Sequence, residues 1–260
     1  MSGVVEGVGE EVTAVHVGDR VVALPFLGGL AEYTLAAASM TFPLPKGMSF
    51  AEGAALPVVY QTSFYALRDR AQLKAGEWLL VHAAASGVGM SAIQLGRAWG
   101  ARVIATAGNP DKLAFARAQG AEISLDYSTP AWVEDVTQIT GGRGADVIYD
   151  PVGGDVFDLS SKCIAPMGRL LVIGFTSGRI PSIAANRVLL KNMSVIGVLW
   201  GNHVKAHPGY AARTHAELAR MVEAGVVRPV VSRSYRMEEV VEAYRDMAAR
   251  KVLGKIVVEM

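Results

Sequence analysis

The sequence predicts an α/β protein, a doubly wound parallel sheet joined to a smaller β-rich unit, and three observations predict it. From Trp78 onward, apolar runs alternate with amphipathic stretches, the pattern of strands buried on both faces beneath covering helices. The run Trp78-Leu-Leu-Val-His-Ala-Ala-Ala-Ser-Gly-Val-Gly89 is a buried strand feeding a glycine turn, followed at once by helical periodicity. Before it, Met1 to roughly Val58 is rich in valine and glycine, with short β-like runs between turn signals.

In chain order, Val4-Val5 and Arg20 to Leu24 are the β-like runs of the first stretch, with turns at Gly7, Gly9 and Gly18-Asp19. The strands of the parallel sheet are expected at Trp78 to His82, Arg102 to Thr106, Glu122 to Tyr127, Asp146 to Tyr149, Arg169 to Ile173 and Met193 to Leu199. After Gly87, residues Val88, Ala92, Leu95 and Trp99 recur at helical spacing, and Gly100 stops the helix. In the next helix Asn109 caps, Pro110 takes the first helical position and Gly120 ends the pattern. Beyond Gly201 the sequence reads as a polar link, a helix ending near Ala224, a β-like Val226 to Ser232, a helix over Met237 to Ala249 and a last strand, Lys255 to Val258.

Bulk properties narrow the function. The 260 residues are enough for two ordinary domains with a cleft. Lys and Arg number 25 against 24 Asp and Glu, and no basic run exists to follow a phosphate backbone, so nucleic acid is not an expected partner. The single cysteine, Cys163, has no disulfide partner within the chain and suits a reducing compartment. No basic segment precedes an apolar start as a signal peptide requires, so a cytoplasmic location is expected. Trp78 to Gly96 is long and apolar, but Gly87, Gly89, His82, Ser86 and Gln94 favour a strand, turn and helix over a membrane span.

The turn Ser86-Gly87-Val88-Gly89 carries the chemistry. A turn of this kind lets a pyrophosphate approach backbone N–H groups at a helix amino terminus, where unpaired donors and the helix dipole favour negative charge. The pattern departs from G-x-G-x-x-G, because alanines stand where earlier glycines would. Dinucleotide sites that take NADH place an Asp or Glu about 20 residues beyond the fingerprint to hold the ribose hydroxyls. Here that place reads Ala105-Thr-Ala-Gly108, with no carboxylate. The second strand therefore favours NADPH, with Lys112 and Tyr127 as a cation and a hydroxyl for the 2′-phosphate. A solvated helix-face lysine and a strand-end tyrosine are the alternatives. Two further turns, Asp150-Pro-Val-Gly-Gly154 and Gly174-Phe-Thr-Ser-Gly178, fall where strands of such a sheet end. Ligands bind beyond those ends, so these turns, Val152 among them, should border the nicotinamide, although turn chemistry alone also explains their glycines.

Other chemistries lack their residues. His16, His82, His203, His207 and His215 show no metal-ligand spacing of the HExxH kind. His203 and His207 are four apart, but Pro208 argues for a loop there, and no metal site is read. Ser86 lies between Ala85 and Gly87, not in a G-x-S-x-G elbow, which disfavours a serine hydrolase.

Taken together, Ser2-Gly-Val-Val-Glu-Gly-Val-Gly-Glu-Glu-Val12, Val17-Gly-Asp-Arg-Val21, Leu73-Lys-Ala-Gly-Glu77, Ala84-Ala-Ser-Gly-Val-Gly89, Ala145-Asp-Val-Ile-Tyr-Asp-Pro-Val-Gly153 and Leu253-Gly-Lys-Ile-Val-Val258 follow one another in an order that resembles a known family. It is the zinc-independent quinone oxidoreductase branch of the medium-chain dehydrogenase/reductase superfamily, and the resemblance covers nearly the whole chain. It implies a Rossmann domain over 59–203 and a GroES-like β-rich substrate domain over 1–58 and 204–260. Gly18-Asp-Arg-Val-Val-Ala-Leu-Pro25 runs within a few residues into Ala31-Glu-Tyr33, leaving no room for the cysteine-rich lobe of zinc-dependent relatives.

The resemblance further implies NADPH as cofactor, hydride transfer to a quinone or enone, and a homodimer paired through the Met193 to Leu199 strand. Carried over by position, Thr62 and Tyr65 contact the nicotinamide end, Ser86, Gly87, Val88 and Gly89 the pyrophosphate, and Gly108, Lys112 and Tyr127 the adenosine phosphate. Gly174, Phe175, Thr176 and Ser177, then Val198, Leu199 and Trp200, and finally Arg250 line the rest. Family chains carry a further segment ahead of Ser2, so the substrate domain is expected to be incomplete at its amino terminus. No proton donor is assigned. An enoyl-thioester reductase of the same architecture, or a catalytically silent NADPH-binding paralogue or fragment, are the competing readings.

Overall fold

The computed structural model describes residues 1–25 and 27–260. The chain divides into two compact units, one of residues 1–61 and 201–260 and one of residues 62–200.

The first unit begins with an antiparallel sheet of β1 (Ser2–Val4), β2 (Arg20–Ala23) and β3 (Thr41–Pro43) in that order. Helix α1 (Phe50–Ala55) starts at a capping box, in which the Ser49 hydroxyl accepts from the Glu52 N–H and the Glu52 carboxylate accepts from the Ser49 N–H. α1 approaches β1 and β2 so closely that a Cβ on Gly53 would stand 3.2 Å from Ser2 Cβ and 3.1 Å from Val22 Cγ1. Helix α2 (Pro57–Phe64) continues as a π-helical segment, Tyr65–Arg70. This helical stretch escapes sequence reading because its buried residues surround it on every side, leaving no amphipathic stripe.

The second unit follows the alternation expected of it. Strand β4 (Trp78–Val81) leads to α3 (Gly87–Ala98), β5 (Arg102–Ala107) to α4 (Pro110–Ala118), β6 (Ile123–Asp126) to α5 (Trp132–Ile139), and β7 (Ala145–Asp150) to α6 (Gly154–Cys163). Strand β8 (Ile164–Val172), helix α7 (Ala185–Lys191) and strand β9 (Ser194–Gly197) complete it. All six strands are parallel, in the order β6-β5-β4-β7-β8-β9. The register lines up Ile123, Ile104, Leu80, Ile148, Leu170 and Val195 across the sheet. Leu80, Ile104, Ile148 and Leu170 are fully buried in one core with Trp132, Phe157 and Ile164, each side chain contributing about 1.5–3 kcal/mol by leaving water. Every residue of β4 and β7 is buried, which is why Trp78-Leu-Leu-Val81 and Val147-Ile-Tyr149 do not alternate with exposed polar residues. Asn109 caps α4 through Lys112 N–H, with Pro110 at its start, as its sequence predicts.

Back in the first unit, the structure corrects two expectations. The segment after Gly201 is not a polar link: α8 (Trp200–Ala206) is helical, and Pro208 falls just past its end, where a proline costs no helical hydrogen bond. After α9 (Tyr210–Glu223), the strand expected over Val226 to Ser232 begins later, as β10 (Val231–Arg236). Gly225 turns the chain at φ +69°, and Pro229 has no N–H for a ladder. β10 pairs in parallel with β11 (Lys255–Glu259), and α10 (Val240–Ala248) connects them. His215 of α9 stacks on Phe42 of β3 with ring centroids 4.8 Å apart and bonds the Pro43 carbonyl at 2.9 Å. Burial lowers its pKa, so the ring is a neutral packing element. No helix among the described residues is long and apolar enough to cross a membrane.

Candidate functional site

A parallel sheet brings the carboxyl ends of all its strands to one edge. Reading across that edge in spatial order gives Tyr127 after β6, Gly108 and Lys112 after β5, Ser86 to Gly89 after β4, Val152 after β7, Gly174 to Ser177 after β8 and Val198 to Trp200 after β9. The strand order reverses direction between β4 and β7, which is where a doubly wound sheet opens a crevice. Thr62 and Tyr65 belong to the same unit, at the end of α2 and the start of the π-helical segment. Arg250 belongs to the other unit, just past α10, with φ +56°.

The turn after β4 is shaped for close approach. Ala83 is held at φ +45°, a conformation costly for a residue with a Cβ. Its carbonyl accepts from Ser86 N–H at 2.9 Å, while Ala84 N–H donates across to Thr106 O at 3.0 Å. Ser86 then caps α3, its hydroxyl accepting from Gly89 N–H at 3.1 Å. Gly87 and Val88, the first two residues of α3, have N–H groups with no intrahelical acceptor. A Cβ on Gly89 would stand 2.4 Å from Ala83 O and 2.8 Å from Ala84 Cα. This glycine is therefore the one that lets strand and helix pack, and the departures from the fingerprint ahead of it leave that requirement intact.

Beneath this turn sits a polar network that the sequence reading missed. His82 is fully buried, with Nδ1 2.7 Å from Thr106 Oγ1 and Nε2 2.8 Å from Ser160 Oγ. Ser160 donates its hydroxyl proton to Val156 O, so it accepts from Nε2–H, and Nδ1 accepts from Thr106. Burial pushes the imidazole down to about 3. The neutral ring ties β4 to β5 and α6. A second network joins the buried Ser63, Ser91 and Tyr149 hydroxyls at 2.7 and 2.9 Å. The legible signal for both was a polar residue inside an otherwise apolar run.

On the β5–β6 side, Gly108 and Tyr127 are neighbours: a Cβ on Gly108 would reach Tyr127 Cε2 at 3.5 Å. Lys112 lies in the first turn of α4, half-buried. No carboxylate occurs from Ala105 to Gly108. On the other side, the two loops expected at the site are hydrogen-bonded into one rim. Thr176 N–H and hydroxyl both donate to Pro151 O at 3.1 Å, Ser177 N–H donates to Val152 O at 3.0 Å, and Gly154 N–H donates to Arg179 O at 3.1 Å. Gly153 and Gly154 adopt φ +69° and +54°, and Cβ atoms there would meet Phe175 and Ser177 at 3.0 and 2.7 Å. Asp150 organises the rim. Its Oδ1 accepts from Val152 N–H at 2.7 Å and Gly153 N–H at 3.0 Å, while the buried Oδ2 has no hydrogen-bond partner. Burial raises this carboxyl to about 6 despite those two donors.

This geometry matches known proteins. The sequence matches the zinc-binding dehydrogenase family over residues 87–220. It is 35% identical over 260 residues to quinone oxidoreductase-like protein 2 of Bos taurus, covering all of this chain and 74% of that protein. The chain belongs to the quinone oxidoreductase branch of the medium-chain dehydrogenase/reductase superfamily. It is an oxidoreductase with that superfamily's Rossmann-like sheet. Among solved structures of this superfamily, Escherichia coli quinone oxidoreductase complexed with NADPH superposes with a TM-score of 0.92 at 28% identity, covering 99% of this chain and 80% of that one. The CurK enoyl reductase superposes at 0.90 and 31% identity, covering 100% and 77%.

Proposed function

We propose that this chain is an NADPH-dependent reductase that transfers hydride to a quinone or enone without zinc. The observation that carries the reading is the end of β5, where Gly108 stands against Tyr127, Lys112 follows in the first turn of α4 and no carboxylate precedes them. An Asp or Glu there would repel a 2′-phosphate, whereas a lysine and a phenol suit it. The Ser86 to Gly89 turn fits the pyrophosphate, since the Gly89 position has no room for a side chain and the helix start presents backbone donors. NADPH supplies the hydride. The chain's own groups bind and orient: Gly87 and Val88 amides at the pyrophosphate, and the Pro151 to Ser177 rim beside the nicotinamide. Zinc independence is supported by the single, buried cysteine and by the short path from Pro25 to Ala31.

Fluorescence titration with NADPH and NADH tests the cofactor assignment. NADPH should bind more tightly, and Lys112→Ala should weaken it about tenfold, a loss of about 1.4 kcal/mol, with little change for NADH. Equal affinity for both cofactors, or an unchanged preference in the variant, overturns it. The likeness to an enoyl reductase favours a second reading, reduction of an enoyl thioester. Following NADPH oxidation with quinones, enones and enoyl-CoA esters decides between them.

A further inference from the structure

One buried group at the carboxyl edge carries a charge that nothing beside it offsets. Asp150 ends β7, and its neighbour β4 ends in the turn fitted to a pyrophosphate. His82 N–H donates to Tyr149 O at 3.1 Å, which holds the two strand ends side by side. Asp150 is only 1% exposed. Its Oδ1 accepts from the Val152 and Gly153 amides, its Oδ2 has no partner, and no cation pairs with it among the described residues. A proton on Oδ2 would therefore neutralise the carboxyl and leave both bonds to Oδ1 in place.

The packing around Asp150 supplies no compensating charge. On β4, His82 is neutral and committed to Thr106 and Ser160. On β8 the register places Val172 beside Asp150, and the 174–177 loop has no charged residue. On α6, Asp155 and Asp158 both pair with Arg179, while the exposed Lys162 and the buried Cys163 stand in its last turn, at the end away from Gly153. Asp146, on β7 itself, lies toward the opposite end and pairs with Arg143. Ala84, Ala85 and Val152 are buried, so little water screens Asp150 from the turn after β4.

A negative charge arriving in such surroundings acts at a distance. At an effective dielectric of about 20, one such charge about 10 Å from a carboxyl makes it about tenfold harder to ionise. We propose, on the cofactor reading above, that Asp150 takes up a proton from solvent when NADPH binds, so that the buried carboxyl and the anionic cofactor are not charged together. In the free chain Asp150 ionises at about 6, because burial outweighs its two amide donors. At pH 6.5 about three-quarters of it is therefore charged, and a tenfold handicap leaves about one-quarter. Binding thus takes up about half a proton at pH 6.5 and almost none at pH 9, where Asp150 stays charged in both states.

Calorimetric titration of the whole chain with NADPH in two buffers of different ionisation enthalpy tests this, because the difference in heat counts the protons drawn from the buffer. The 2′-phosphate of the cofactor also titrates near 6, so the Asp150 contribution is the native chain minus Asp150→Asn. That difference should be about half a proton at pH 6.5 and less than about a tenth at pH 9. Asp155→Asn, which removes an exposed carboxylate, should keep the native uptake. A second readout needs no variant: the Asp150 carboxyl-carbon NMR signal of the native chain should titrate about one pH unit higher once NADPH saturates it. Saturable NADPH binding with an unmoved Asp150 midpoint, or with the same uptake in a folded Asp150→Asn, overturns the proposal alone. Absence of saturable NADPH binding overturns the cofactor reading and the proposal with it.

Discussion

The two edges of the six-stranded sheet are built on opposite principles. At the amino edge charges are paired. Arg169 grips Glu77 through two hydrogen bonds, at 3.1 and 2.6 Å, and donates further to the carbonyls of Ala71 and Asp146. Asp146 accepts from Trp78 N–H at 2.9 Å and pairs with Arg143, and Arg102 lies over the Trp78 ring at 3.8 Å while pairing with Glu122. At the carboxyl edge, Ala83 is strained, Gly153 and Gly154 are left-handed, and one oxygen of the buried Asp150 carboxyl has no partner. The buried charges of the amino edge are matched, whereas at the carboxyl edge, where a ligand is expected, a buried carboxyl keeps an oxygen without a partner and Ala83 is held in a costly conformation by the rest of the fold.

The sharpest way to break this contrast is to fill the space that the carboxyl edge keeps open. Gly89→Ala sets a Cβ against backbone atoms of Ala83 and Ala84, which have no flexible end to swing away. The expected loss is about 3 kcal/mol or more in urea denaturation, together with loss of NADPH binding. A variant of native stability would mean that the turn is more plastic than its packing indicates.

The amino edge predicts a different outcome. Arg169→Ala leaves the largely buried Glu77 without its partner, with side-chain exposures of 18% for Arg169 and 20% for Glu77. Stability should fall by about 2 kcal/mol, below the cost of breaking a fully buried pair because some water still reaches these groups. NADPH affinity measured below the denaturation midpoint should not change. A matching fall in affinity would show that the two edges are coupled through the strands.

This division also explains how much of the molecule its sequence reveals. The strands of the 62–200 unit are legible because burial on both faces leaves unbroken apolar runs, as in Leu79-Leu80-Val81. The α4 start is legible because Asn109 and Pro110 are local signals. Asp150 and His82 were not legible as a carboxyl with an orphaned oxygen and a neutral bridging ring. Their roles depend on partners distant in the sequence, Ser160 for His82, or on depth in the fold. The helical α8 is hidden because Pro208 alone reads as a loop signal, while its effect depends on whether the lost N–H was needed, and the late start of β10 is hidden because Val226-Val227 is apolar although Pro229 has no N–H for a ladder.

Asp150 offers the smallest and most discriminating test. Its folded-state value, about 6, lies above the ordinary 3.8. Protonation therefore favours the folded chain: the stability this group lends is full below the ordinary value and is lost as pH rises through about 6. By pH 8 the buried charge costs on the order of 3 kcal/mol. Asp150→Asn removes that charge and keeps an oxygen for the Val152 and Gly153 amides, but its NH₂ occupies the place where Oδ2 finds no partner. Part of the gain is offset, leaving about 1 kcal/mol of stabilisation at pH 8. That gain should vanish near pH 4, where the native carboxyl is already largely neutral. Equal destabilisation at both pH values would instead mean that the rim requires an anion. If the variant is more stable at pH 8 yet binds NADPH less well, the buried charge is retained for the site at the expense of the fold, and the contrast between the two edges is one of function as well as geometry.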